Sequence, residues 1–152
     1  MFRTRPVAIT MAVLAVSLPV AACGGDDDDE SFKEDYNAAV KPLTELNSDI
    51  GGSLDQAAEQ SNEAVAKEFD NLASKAQETR DNLSELDPPE DAKEEFDALV
   101  SALKDGAANL KAVAEAARDA NPTEARAAAE DLVESGTEIQ KAETALQNAV
   151  DG

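Results

Sequence analysis

The sequence has no histidine and no tryptophan, and only one cysteine. Each absence removes a class of chemistry. Without imidazole there is no Ser–His or Cys–His couple, no His-containing zinc site, and no Glu-x-x-His pair of the kind that builds di-iron centres in helical bundles. A single cysteine excludes an intramolecular disulfide. The two methionines, Met1 and Met11, both fall at the N-terminal end, which leaves the rest of the chain no axial haem ligand. Aromatic residues make up 3% of the 152 positions, too few for a strand-rich core. Positive charge is scarce as well: 13 Lys and Arg stand against 33 Asp and Glu, for a net charge of −20. A field of that sign repels phosphate backbones and anionic lipid surfaces, so nucleic acid is not an expected partner.

What is present begins with three zones in the first 22 residues. "MFRTRP" carries Arg3 and Arg5, "VAITMAVLAVSLPV" is almost wholly apolar, and small residues lead up to Cys23. This order is that of a secretory signal. The apolar zone is shorter than the roughly 20 residues a spanning helix requires. Val20-Ala21-Ala22-Cys23 resembles a bacterial lipobox, the motif of lipoprotein signal peptides. The resemblance covers residues 1–23. It implies cleavage between Ala22 and Cys23, a diacylglyceryl group on the Cys23 sulfur and an acyl group on the new N-terminus. The expected location is the outer face of the cell membrane, with the bilayer as one partner. Beyond the lipid on Cys23, no cofactor is expected.

Residues 23–30, "CGGDDDDE", follow with two glycines and a run of like charges, which reads as an extended, solvated tether. The run lacks the D-x-D-x-D-G spacing of a calcium loop. From Ser31 to residue 152 the pattern is helical. Ser31 with Glu34, Asp87 with Glu90 and Asn121 with Glu124 have the spacing of capping boxes, and Pro88 and Pro122 follow the latter two caps. A fainter start lies at Asn62. Apolar residues step by four and three along Val65–Leu86, Ala92–Ala117 and Ala125–Val150, each series drawing one stripe down a helix. The series Phe32, Tyr36, Ala39, Leu43, Leu46, Ile50, Leu54 and Ala57 keeps the same stepping through Pro42 and the pair Gly51–Gly52. A break at the glycines and a kinked, continuous helix are both consistent with these residues, and the unbroken phase favours the second.

The expected fold is therefore all-α, an antiparallel up-down four-helix bundle with helices near 31–60, 63–86, 89–120 and 122–150. The alternative is a three-helix bundle with an N-terminal helical arm. The stretch "LSELDPPEDAKEEFDALVSAL" is similar to an L-x-x-L-x-P-P helix turn of small helical lipoproteins from high-GC Gram-positive bacteria. Over residues 31–150 that resemblance implies a fold and a location, and no activity.

No arrangement of residues marks a catalytic or metal site. Carboxylates abound, and their positions opposite the apolar stripes read as solvated faces. Tyr36, Gly106 and Gly136 fall on the inner stripes, where they would either serve close packing or line a small apolar pocket between helices. The expected function is a non-enzymatic interaction or structural module of the cell envelope, with an envelope protein as partner. The alternative is a carrier using that pocket.

Overall fold

The computed structural model of the chain describes residues 27–151. They form four helices: α1, Asp27–Gln56; α2, Asn62–Ser84; α3, Lys93–Arg118; and α4, Pro122–Asp151, with a short 3-10 turn at Ala57–Glu59 after α1. Consecutive helices pack against each other as an up-down four-helix bundle, with α3 at the centre of the most extensive packing. The three N-terminal zones, the cleavage expected between Ala22 and Cys23, and Cys23 itself lie outside the described residues.

Helix α1 starts earlier than the Ser31 capping pattern predicts. Residues 27–30, read from composition as the end of a solvated tether, form its first turn. Acidic side chains are favoured there by the unpaired N–H groups and the positive end of the helix dipole. The helix runs unbroken through Pro42 and through Gly51–Gly52. Pro42 is exposed, and so is Ala38, whose carbonyl loses its donor; water can satisfy that carbonyl at low cost.

Helix α2 is capped by Ser61, whose hydroxyl accepts from the Ala64 N–H at 3.3 Å. Helix α4 is capped by Asn121, whose side-chain oxygen accepts from the N–H groups of Thr123 and Glu124 at 3.2 and 3.3 Å. The cap expected at Asp87 does not form. A cap at Asp87 would make Pro88 the first helical residue, but Pro88 precedes Pro89, and a residue before proline is pushed out of the helical region, so no helix opens there. A turn closed by the Ala92 N–H on the Pro89 carbonyl at 3.1 Å intervenes, and α3 begins at Lys93 instead of residue 89.

Helix α3 ends in a Schellman motif. The N–H of Asn121 bonds the Ala116 carbonyl at 3.0 Å, and that of Ala120 bonds the Ala117 carbonyl at 3.1 Å. Ala120 takes the left-handed position this geometry demands, at φ 50°.

The core follows the sequence stripes most closely on α2 and α3. Phe69, Ala73, Leu83, Leu99 and Ala114 are entirely excluded from solvent. Each fully buried Phe or Leu contributes about 1.5–3 kcal/mol through lost apolar surface. On α1, Phe32, Tyr36, Leu43 and Leu46 are buried, while Ala39, Val40, Ile50 and Leu54 are only partly covered. On α4 the stripe departs from expectation at one step. Gly136 is exposed, and Ser135 takes the inward position. Its hydroxyl lies 2.6 Å from Asn109 Nδ2 and 3.0 Å from the Asp131 carbonyl, so burying it leaves no polar atom unpaired.

Candidate functional site

The three pocket residues expected from the sequence do not come together. Gly106 is buried where α3 meets α4, and a β-carbon there would stand 3.2 Å from Ile139 Cδ1. Close helix packing occupies that space. Gly136 faces outward, with nothing near its absent side chain. Tyr36 lies apart from both, at the end of the bundle where α1 meets α4. Its ring stacks on Phe32 with centroids 5.9 Å apart, and Phe32 in turn meets Phe96 of α3 edge-on at 5.8 Å. A hollow beside them, lined by Phe32, Tyr36, Asn37, Leu146 and Val150 among others, measures about 60 Å³. That is room for a few water molecules.

Burial pushes the Tyr36 hydroxyl well above the ordinary phenol range, and the negative charge of Glu143 pushes in the same direction. Burial likewise raises the Glu143 carboxyl on α4. These two groups give the α1–α4 side an acidic, partly dry character that the apolar stepping did not reveal. The only sequence signal for it was a glutamate placed one residue beyond the α4 stripe at Ala142.

A larger opening lies between α1 and α2. It is a shallow cleft of about 690 Å³ lined by Asp49, Gly52, Ser53, Glu68 and Lys75 among others. Its polar groups bind one another. Lys75 Nζ donates to Asp49 Oδ2 at 2.8 Å, and this bond with the charges of Asp49 and Glu45 raises the ammonium's pKa. The buried Ser53 hydroxyl sits 2.6 Å from Glu68 Oε1 and 2.8 Å from the Asp49 carbonyl, and Gln60 Nε2 donates to Glu68 Oε2 at 3.1 Å. The arrangement is a polar clasp that joins α1 to α2. Such a set of paired carboxylates, amide and hydroxyl holds the two helices in register.

Among the described residues, no three His, Cys, Asp or Glu side chains gather closely enough to hold a metal ion. None of the described helices is long and apolar enough to cross a membrane. The fold and these two openings define a small acidic four-helix bundle. No family model matches the chain, and neither a curated protein nor a solved structure matches it.

Proposed function

We propose that the protein is a lipid-anchored, extracytoplasmic bundle that acts through protein contacts at the cell envelope, as an adaptor, spacer or accessory subunit, without catalysing a reaction. The observation that carries this reading is the filled interior. The side chains of α2, α3 and α4 close on one another around Phe69, Leu83, Leu99 and Leu110, so the bundle offers partners its surface. The carrier alternative draws less support, because the hollow beside Tyr36 would admit only a fragment of an acyl chain. The anchor rests on the lipobox resemblance at Val20–Cys23. A diacylglyceryl group supplies two chains at about 0.8 kcal/mol per buried CH₂, enough to hold an acidic body that the bilayer surface would otherwise repel.

Crosslinking in living cells of the natural producer, comparing the wild-type chain with Cys23→Ala, tests both halves of the proposal. The Cys23→Ala protein is expected to leave the membrane fraction and to lose a saturable protein partner that the anchored form retains. Membrane retention of Cys23→Ala would refute the anchor. A bound small molecule in the purified protein, with no enriched partner in cells, would replace the adaptor with the carrier.

A further inference from the structure

We propose that α1 is a releasable strap, which leaves the α2–α3–α4 core as one unit while that core stays folded. Helices α2 and α3, and α3 and α4, pack extensively; α1 packs on α2 over less of its length and scarcely approaches α4. The inner residues differ accordingly. Leu99 and Ala114 of α3 are wholly buried, whereas Ala39, Val40, Ile50 and Leu54 of α1 are partly open to solvent. The interior of α1 also contains Pro42, Gly51 and Gly52, the residue types that weaken a helix most. No close packing calls for the glycines: a β-carbon on Gly51 would meet nothing within 4 Å, and one on Gly52 only the tip of Gln56 at 3.8 Å.

Beyond the buried side chains of Tyr36, Leu43 and Leu46, contacts near each end of α1 tie it to the core. Toward its N-terminus Phe32 is pinned against Phe96 of α3. Toward its C-terminus the clasp of Asp49 with Lys75 and Ser53 with Glu68 ties it to α2. The Asp49–Lys75 pair is solvent-exposed, and such pairs contribute little. Segments with partly covered apolar residues and limited packing on their neighbours are those that open below the free energy of global unfolding. Because α1 joins the core to the segment bearing Cys23, its release would lengthen the reach of an anchored core by the span of its 30 residues, about 45 Å. That consequence rests on the lipid-anchored reading; the release itself does not.

Hydrogen exchange of the full chain in detergent, resolved helix by helix, tests the strap. The interior amides of α1 are expected to exchange at least tenfold faster than the slowest amides of α3. Asn109 bonds α4 through Ser135 Oγ and the Asp131 carbonyl. Asn109→Ala should therefore speed α3 and α4 exchange about tenfold and leave α1 unchanged. Phe32→Ala should speed α1 exchange about a hundredfold. Equal protection of α1 and α3 in the wild type, or an Asn109→Ala effect spread evenly over all four helices, would mean that the bundle opens as one body and would overturn the proposal. An anchor failure would appear only in the membrane fractionation of Cys23→Ala and would leave the exchange result standing.

Discussion

A β-carbon on Gly106 would stand 3.2 Å from Ile139 Cδ1, and this approach separates the helical glycines into two kinds. Gly106 lets α3 and α4 lie close. Gly51 and Gly136 have open space where a side chain would go.

Gly136→Ala should accordingly raise stability by about 0.5–1 kcal/mol, the usual gain for alanine over glycine inside a helix, and Gly51→Ala should do the same. Gly106→Ala should gain nothing net, because Ile139 must shift to admit the methyl group. Pairing it with Ile139→Val relieves the crowding and should recover part of the helical gain. Urea unfolding followed by circular dichroism measures all four variants.

Ala120 holds a left-handed backbone at φ 50°, a conformation that strains any residue with a β-carbon. Ala120→Gly is expected to stabilise the protein by about 1 kcal/mol, and Asn121→Ala to destabilise it by about the same amount through loss of the α4 cap. Opposite shifts of the urea midpoint at neighbouring positions would be the signature.

Glu143 carries a carboxyl raised by burial. The folded state therefore binds its proton more tightly than the unfolded state does. This contribution to stability is complete below the unfolded carboxylate pKa, near 4.3, and is lost as pH rises through the higher folded value. Glu143→Gln should thus stabilise the protein at neutral pH and have little effect at pH 3.5. Tyr36 obeys the same sign in alkali: its raised pKa makes folding stability fall as pH climbs beyond about 10, where the unfolded phenol ionises. Tyr36→Phe should flatten that alkaline decline. Thermal unfolding across the pH range reads both effects.

A net charge of −20 on a chain of this size works against compaction through self-repulsion. Raising sodium chloride from low millimolar levels to physiological strength should raise the unfolding temperature as the Debye length shrinks to about 8 Å. The ion pairs Lys93–Asp97 and Arg126–Glu130 are exposed and lose little on screening, so repulsion governs the sign. A fall in unfolding temperature with salt would show that attractive pairs dominate.

Much of the bundle was legible in the residues because burial imposes one period on every helix. Ala92, Phe96, Leu99, Leu103, Gly106, Leu110, Val113 and Ala117 all proved to be buried along α3. Two kinds of feature were hidden. Local backbone geometry overrode side-chain chemistry at Asp87, where two consecutive prolines set the path and moved the helix start to Lys93. Pairing across helices overrode polarity at Ser135, which turned inward because Asn109 of α3 supplied its hydrogen bond, and Gly136 turned outward with it. Neither partner could be read from the stepping of α4 alone. The three expected pocket residues likewise share a stripe pattern without meeting: Gly136 faces outward beside Ser135, and Tyr36 sits near Leu146 and Val150, away from Gly106.

Asn121 serves both helices it touches. Its N–H closes α3 on Ala116, and its side chain opens α4 at Thr123 and Glu124. No residue between the two helices is left idle, so the turn has a fixed length. Adding or removing one residue there would rotate α4 by about 100° and turn Leu132 and Leu146 away from α3. The eight positions from Glu85 to Ala92 form a longer connection, anchored at its ends by Leu86 against the core and by buried Ala92, with Asp87, Glu90 and Asp91 exposed between them. A reporter, an affinity tag or a natural insertion therefore belongs in the exposed part of that stretch, near Asp87 and Glu90, where it displaces no buried side chain.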